Sequence, residues 1–348
     1  MQKIAILYSE LAEYSLACFR ALKETGTKLM VIHWPINPEA PFNIDLSFAD
    51  ESYSREGLTA ADMHQKLVDF DPSLILVSGW MDKGYVQECK FWHAKISVVL
   101  TMDNHWFGTW RQRLATLVFP IMYRNVYNKA FVPGEVQRQY ALRLGFRDSQ
   151  IETGFYSADV GLFKQYAEKL LSAKQTTFPK RFLFLGRYVH HKGIYDMWNA
   201  FRRVRQDYPD WELWCVGTGD LYDERPEFDG LKHFGFVQPK DLFPLLLDTG
   251  VYILPSHFEP WGVSVHELAV AGFPMILSDQ IGAKEAFLNE GANGFEFESG
   301  NEEMLETCMR RFASLSEEKL YEMAQESKKM GMSHTPEIWA STLISMID

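Results

Sequence analysis

The chain has 348 residues, 47% of them hydrophobic and 23% charged, which is the composition of a globular protein with room for two cores. Its net charge of −11 is unevenly placed: residues 1–155 carry 16 Lys/Arg against 17 Asp/Glu, and residues 156–348 carry 19 against 29. Because nucleic-acid binding depends on a basic surface, this acidic balance argues against a nucleic-acid partner.

Neither a leader nor a membrane span is predicted. The N-terminus enters a strand directly after Met1-Gln-Lys, and no apolar run approaches the ~20 residues needed to cross a bilayer. The cysteines are scattered in apolar or helical runs without a Cys-x-x-Cys motif, which favours buried free thiols in a reducing compartment: Cys18, Cys89, Cys215 and Cys308. We therefore expect a cytoplasmic protein, or one attached peripherally to the inner face of the cytoplasmic membrane.

Short apolar runs of strand length alternate with helical patterns along the chain. The first set of predicted strands lies at 4–8, 28–33, 74–78, 96–101 and 128–132, with helices at 58–69 and 134–144. The second set lies at 182–185, 211–216, 231–234, 251–254 and 275–277, and a last helix begins with Thr335 as N-cap and Pro336 at its first position. This alternation predicts an α/β protein with two parallel sheets covered by helices.

Residues 105–147 concentrate cations beside aromatic residues. The cations are Arg111, Arg113, Arg124, Lys129, Arg138, Arg143 and Arg147, and the aromatic residues are Trp106, Phe107, Trp110, Phe119, Tyr123 and Tyr127. Such a stretch is typical of a surface that rests on an anionic membrane. A pair of amphipathic helices with a solvated basic face and a buried aromatic face is the equally good alternative.

A strand, a glycine turn and two cations precede the helical pattern that starts at Ile194. Gly186 ends the strand, and Arg187 and Lys192 follow it five residues apart. Arg grips a phosphate with a planar fork and Lys adds a compact charge, so this order is that of a phosphate-binding loop. The alternative is a solvated surface loop.

Glu259 and Glu267 stand eight residues apart around the start of a predicted helix, 263–271. The first helical turn, at Gly262, Val263 and Ser264, offers backbone N–H groups to an anion. Two carboxylates would repel a bare phosphate, whereas a diphosphate flanked by two hydroxyl-rich groups fits, as in a nucleotide sugar. An ordinary amphipathic helix with one capping and one solvated glutamate is the alternative.

The run 257–272 resembles the E-x7-E signature of the retaining, GT-B-fold glycosyltransferases of family 4, glycosyl transferases group 1. By that resemblance Glu259 faces the donor sugar and Glu267 faces the ribose hydroxyls. The run 186–193 resembles the family's Gly-Arg…Lys-Gly element, so Arg187 and Lys192 clamp the donor diphosphate and stabilise it as it leaves.

The same resemblance extends, in outline, over nearly the whole chain. It implies a GT-B architecture: two Rossmann-like doubly wound domains facing a central cleft, with the C-terminal helix crossing back to the first domain. The implied domains are an acceptor-side domain at 1–156, a nucleotide-sugar domain at 157–331 and the returning helix at 332–348. Phe236 and Val237 resemble the loop on which the family packs the nucleotide base, although these residues could equally be core.

The first domain departs from the family's pattern at two loops. The loop after the first strand, 9–15, is not rich in glycine, which puts a backbone approach to the donor phosphates from that side in doubt. Asp103 stands where the family often has a histidine near the reacting sugar, and His105 lies close enough in sequence to take that place. Both are candidate catalytic residues, with an ordinary loop histidine as the alternative for His105.

The resemblance implies a metal-independent retaining hexosyltransferase that uses a nucleoside-diphosphate sugar, with a UDP-sugar favoured and a GDP-sugar next. The acceptor would be a glycan or lipid-linked glycan in bacterial envelope polysaccharide synthesis, including lipopolysaccharide. No metal site and no cofactor other than this co-substrate are expected. A soluble-acceptor synthase or phosphorylase of the same fold, and a non-catalytic nucleotide-sugar-binding protein, stay open as alternatives.

Overall fold

The structure, a computed structural model, describes residues 1–36 and 42–347. The chain forms two compact units: Met1–Ser157 with His334–Asp348, and Ala158–Ser333. The domain boundaries predicted after residues 156 and 331 stay predictions.

The described part of the first unit contains a parallel sheet of seven strands in the order β3-β2-β1-β4-β5-β6-β7. These are β1 (Lys3–Tyr8), β2 (Lys28–His33), β3 (Glu51–Ser54), β4 (Leu74–Ser78), β5 (Ser97–Thr101), β6 (Lys129–Val132) and β7 (Ile151–Thr153). Its first helices are α1 (Glu13–Glu24), α2 (Ala60–Phe70), α3 (Lys83–Trp92), α4 (Trp110–Met122) and α5 (Glu135–Arg143). Because β1 pairs with β2 on one side and β4 on the other, the winding direction reverses between β1 and β4.

The second unit, all of whose residues are described, contains a parallel sheet of six strands in the order β10-β9-β8-β11-β12-β13. These are β8 (Arg181–Leu185), β9 (Glu212–Val216), β10 (Leu231–His233), β11 (Val251–Leu254), β12 (Met275–Ser278) and β13 (Gly294–Phe297). Its helices are α6 (Val160–Thr176), α7 (Ile194–Asp207), α8 (Phe243–Leu247), α9 (Val263–Val270), α10 (Lys284–Phe287), α11 (Glu302–Ala313) and α12 (Glu317–Gly331). Here the winding direction reverses between β8 and β11.

The central strands are nearly continuous apolar runs because helices cover both faces of each sheet. In β11 and β12 every residue is buried. The predicted α/β class with two parallel, doubly wound sheets is therefore confirmed. Three strands, β3, β7 and β13, were not predicted from the sequence.

The C-terminal helix α13 (Pro336–Ser345) packs on the first unit, as predicted. The Thr335 side chain accepts a hydrogen bond from the backbone N–H of Ile338 and so caps the helix, with proline at the first helical position. Trp339, 1% exposed, lies among the rings of Phe19, Phe131 and Phe155, with ring centroids 5.9–6.3 Å from its own. This apolar contact fixes the end of the chain to the first sheet.

The four cysteines, all of them described, are buried thiols that take part in no disulfide, as predicted. Across residues 1–36 and 42–347, no helix combines the length and the apolar character that crossing a membrane requires.

Candidate functional site

Two loops of the second unit carry most of the predicted site residues. The β8 loop (186–193) follows β8, and the β11 loop (255–262) follows β11 and leads into α9. Since β8 and β11 are neighbours at the point where the winding reverses, both loops lie outside the carboxyl ends of the strands at a topological switch point. Doubly wound sheets bind their ligands at this position.

The two loops are packed directly against each other. The backbone N–H of His257 donates to the carbonyl oxygen of His191 at 2.7 Å, and the His257 ring lies 2.6 Å from the Asp196 carboxylate in the first turn of α7. Gly193 has φ +63°, and a Cβ atom there would collide with the carbonyl oxygen of Pro255. Glycine is therefore required at 193 for the β8 loop to lie this close to the β11 loop.

Lys192 and Glu259 form an ion pair between these loops. Their side chains are only 12% and 15% exposed, so the pair is largely shielded from water. The backbone of Glu259 is held as well, because its N–H donates to Gln280 and its carbonyl oxygen accepts from Gly282, both at 3.1 Å. The structure thus brings a predicted clamp residue and a predicted sugar-facing residue into direct contact.

Glu267 lies half-buried on α9, about one turn after Val263, the first residue of the helix. Burial, and then the charge of Asp159, raise the pKa of its carboxyl to about 7. Tyr252 is buried at the same place, with its hydroxyl 2.8 Å from the Ser264 hydroxyl. Burial raises the pKa of Tyr252, and the charges of Glu259 and Glu267 raise it further, so both carboxylates act on one buried hydroxyl.

Replacing Glu267 by glutamine is expected to stabilise the protein at pH 8 by more than about 1 kcal/mol. The folded-state pKa of about 7 lies above the ordinary glutamate pKa of 4.5, so between these pH values the folded state holds the proton that the unfolded state loses. Stability therefore falls as pH rises through this window and stays lower above it. Urea unfolding of wild type and variant should show a difference that is largest at pH 8 and shrinks toward pH 5. The exposed Glu168→Gln on α6 is the control, and an equal difference at both pH values would contradict the assignment.

The N-terminus of α9 offers the predicted anion site. Gly262 has φ +93° and precedes the first helical residue, so the chain turns sharply into the helix. The N–H groups of Val263 and Ser264 belong to the first turn, where a helix's own hydrogen bonds leave them unused. This helix end therefore faces the same switch point as the Lys192–Glu259 pair.

The remaining predicted residues of the second unit lie at neighbouring strand ends. Gly186 donates its N–H to the carbonyl oxygen of Val216 at 3.0 Å, and Arg187 beside it is exposed. Phe236 and Val237 are half-buried after β10, in a loop tied to the end of β9 by a 2.7 Å hydrogen bond from Gly217 to Gly235. The roles predicted for these four residues stay predictions: Gly186, Arg187, Phe236 and Val237.

Asp103 and His105 lie in the first unit, beyond the end of β5. Asp103 accepts a hydrogen bond from the Tyr156 hydroxyl at 3.1 Å. His105 is further along the loop before α4, where its carbonyl oxygen accepts from the Gln112 side chain at 2.6 Å. The sequence did not single out three residues that act on these sites: Tyr156, Tyr252 and Asp159. A tyrosine in or beside an apolar strand has the same pattern as a core residue, and Asp159 has the pattern of an ordinary helix N-cap.

In the part of the chain that the structure describes, no group of three or more His, Cys, Asp or Glu side chains is arranged to hold a metal ion. The expectation of metal-free chemistry stays a prediction.

The family described as Glycosyl transferases group 1 matches residues 168–330. This segment of the chain is therefore similar to that family. The match includes the β8 loop, the β11 loop and α9, so the glycosyl transferases group 1 segment contains the Lys192–Glu259 pair and Glu267.

A curated relative, the glycogen synthase of Mycobacterium tuberculosis, is 34% identical over 120 residues, which are 32% of this chain and 29% of the relative. The chain therefore matches less than a third of that relative's length. Among solved structures, sucrose-phosphate synthase from Thermosynechococcus elongatus has a TM-score of 0.75 at 17% identity, covering 99% of this chain and 98% of that one. HepE of Anabaena in complex with UDP-glucose has a TM-score of 0.73 at 15% identity, covering 99% and 100%.

At these identities the structural likeness shows the fold alone, and it agrees with the GT-B fold class predicted for this chain. The predicted cleft between the two sheets stays a prediction.

Proposed function

We propose that the chain is a retaining glycosyltransferase that moves a sugar from a nucleoside-diphosphate sugar to a hydroxyl group of a glycan. The observation that carries this proposal is the Lys192–Glu259 pair at the switch point of the second unit. Cations and helix N–H groups suit a diphosphate, and carboxylates suit the hydroxyls on either side of it. The family match over residues 168–330 and the carboxylate on α9 support the same substrate class.

A UDP-sugar is the favoured donor and a GDP-sugar the next. HepE, which shares the fold, was solved with UDP-glucose, and this supports the uridine nucleotide for the present chain. Phe236 and Val237 would pack on the base, Glu267 would accept hydrogen bonds from the ribose, and Glu259 would accept them from the sugar. Gly186 would let the β8 loop approach the phosphates.

The reaction needs charge stabilisation more than a nucleophile. As the bond from the sugar carbon to the diphosphate breaks, negative charge grows on the leaving oxygen, and Arg187, Lys192 and the N–H groups of Val263 and Ser264 would stabilise it. The acceptor oxygen bonds to the same face of the sugar, and its proton passes to the leaving phosphate. No metal is required in this scheme, because cations and a helix end carry the compensating charge.

A nucleotide-sugar panel tests the proposal directly. Thermal shift should single out one donor, since a ligand that binds only the native state raises the melting temperature. That donor should then release its nucleoside diphosphate in the presence of excess chelator. Activity lost on chelation and restored by Mg²⁺ or Mn²⁺ would contradict the metal-free scheme. Binding without any turnover would instead indicate a non-catalytic nucleotide-sugar-binding protein.

The acceptor is proposed to be a lipid-linked glycan of a bacterial envelope polysaccharide, met at the inner face of the cytoplasmic membrane. The supporting feature is α4, whose outer face is apolar and exposed: Trp110, Leu114, Leu117, Val118, Ile121 and Met122. Trp110 and Leu117 are 71% exposed and Ile121 is 82% exposed, and their spacing places them on one side of the helix. The alternative interpretation is a helix whose aromatic residues are buried. Phe119 is buried, as that alternative requires, but Trp110 is exposed.

The charge of α4 favours an anionic membrane over a protein partner. Arg111 and Arg113 flank the outer face and Arg124 follows the helix, all three of them exposed, and α4 itself contains no acidic residue. An amphipathic helix of this kind lies in the membrane interface with its apolar face inserted. Each nearby cation adds roughly 1 kcal/mol on an anionic surface.

The protein is accordingly expected to sediment with phosphatidylglycerol vesicles at low salt and to be released at high salt. Both Leu117→Ser/Ile121→Ser and Arg111→Glu/Arg113→Glu/Arg124→Glu should weaken this binding without changing donor affinity. Val68→Ser, which alters a 41% exposed apolar residue on α2, is the matched control. Failure of the wild-type protein to bind these vesicles at low ionic strength would contradict the membrane proposal. A soluble acceptor, as for a sugar synthase or phosphorylase, would then be favoured.

A further inference from the structure

The first unit holds a pocket of about 470 Å³ at the carboxyl ends of its central strands. Its walls come mainly from the segments that follow β1, β4 and β5. β1 and β4 are neighbours at the reversal of winding, so this switch-point pocket occupies the position at which doubly wound sheets bind ligands. The β8 and β11 loops occupy the corresponding position in the sheet of the second unit.

Aromatic rings form much of the wall of the switch-point pocket. The Tyr156 ring packs edge-on against Tyr14 at 5.8 Å, while its hydroxyl donates to Asp103. Trp34 and Trp80 line the pocket from the segments after β2 and β4. Flat rings of this kind bind the apolar face of a ring-shaped ligand and exclude water from it.

The charged groups in the wall are acids. Asp82 is engaged within the protein, since Arg55 lies 3.0 Å away and the backbone N–H groups that open α3 donate to it. Glu10 and Asp103 also line the pocket, and among its described lining residues none is Lys, Arg or His. A phosphate or carboxylate on a ligand would therefore meet like charge without a cation in the wall to offset it. Hydroxyl or amino groups would instead donate to the carboxylates.

We propose that the switch-point pocket binds the acceptor through an uncharged or amino-bearing sugar ring, and that it discriminates against phosphorylated sugars. This inference rests on the proposed glycosyltransferase function, because a second substrate is needed to fill a second site. The aromatic wall packs against the sugar ring, and the carboxylates of Glu10 and Asp103 accept hydrogen bonds from its hydroxyl groups. A lipid diphosphate on the same acceptor would have to lie outside the pocket.

Saturation-transfer NMR tests the pocket without any donor. A panel of neutral and amino mono- and disaccharides is compared, at millimolar concentration, with the matching sugar phosphates. Neutral or amino sugars should bind and their phosphates should bind at least about tenfold more weakly. Glu10→Lys should reduce this preference about tenfold, and Tyr14→Leu should weaken binding of the neutral sugar. Glu24→Lys, at the exposed end of α1, is the matched charge control and should change neither.

Two outcomes would overturn the inference. One is binding of phosphorylated sugars at least as tight as that of their neutral counterparts. The other is the absence of binding by every neutral and amino sugar in the panel. Failure of the proposed function is separate, because it would appear as a lack of nucleotide-sugar binding and turnover in an assay that contains no acceptor sugar.

Discussion

Lys192→Ala is expected to lower turnover at saturating donor by about 10²-fold or more, and Arg187→Ala by a similar factor. In the proposed reaction each change removes a cation that would stabilise the oxygen on which charge grows as the diphosphate leaves. Loss of Lys192 should lower turnover more than loss of Arg187, because it also leaves the Glu259 carboxylate, 15% exposed, without its partner and beside the proposed diphosphate site. Steady-state kinetics with the donor identified by thermal shift measures the turnover of both variants.

Controls separate this effect from a general loss of charge or of folding. Lys180→Ala removes a lysine that pairs with exposed Asp210 at 2.6 Å in the same unit, and it should leave turnover unchanged. Lys192→Ala/Glu259→Gln should bind nucleoside diphosphate better than Lys192→Ala alone, because the unpaired carboxylate is gone. Near-wild-type turnover in both single variants, with intact folding, would disprove the clamp assignment.

The sequence predicts the interior of each sheet better than its edges. β1, β4, β11 and β12 are nearly continuous apolar runs because they are covered on both faces, and such runs are visible in a sequence. All three strands that were missed lie at sheet edges: β3, β7 and β13. β3 alternates half-buried and exposed residues, and β7 has only three residues, so neither presents an apolar run. Edge strands are commonly short and polar, which prevents pairing with other chains.

The residues of the candidate site could be proposed from the sequence, but their contacts could not. Lys192 and Glu259 are 67 residues apart in the sequence. They meet because β8 pairs not only with β9, the next strand in the chain, but also with the distant strand β11. Gly193 also looks like an ordinary turn glycine until Pro255 is placed beside it. The strand order is a property of the whole sheet, so no local pattern reveals such a contact.

The orientation of α4 shows the same limit. Cations and aromatic residues in 105–147 are compatible with either a membrane-facing or a core-facing set of rings. Phe119 packs inward on Tyr123, with ring centroids 4.6 Å apart, whereas Trp110 points outward. Helical spacing separates the two faces, but only the packed unit shows which of them meets solvent.

Glu267→Gln and Glu259→Gln are expected to affect different steps. Glu267→Gln should weaken binding of the free nucleoside diphosphate about tenfold or more, because it removes the charged group that we propose accepts hydrogen bonds from the ribose hydroxyls. Glu259→Gln should leave that binding unchanged or tighten it, since Lys192 is released from its ion pair to meet the diphosphate. Sugar transfer should nevertheless fall in Glu259→Gln, because its proposed partner is the donor sugar.

Isothermal titration calorimetry with UDP, run from pH 6 to pH 8, distinguishes these roles. The pKa of Glu267 is raised to about 7 by burial, so its carboxylate form becomes dominant across this range and wild-type affinity should rise with pH. The nucleotide phosphate also titrates nearby, and the Glu267→Gln profile measures that contribution alone. The wild-type profile should therefore be steeper than the Glu267→Gln profile, whereas Glu259→Gln should keep the wild-type slope. Equal losses of UDP affinity in the two variants, with parallel pH profiles, would contradict the division of roles between the two glutamates.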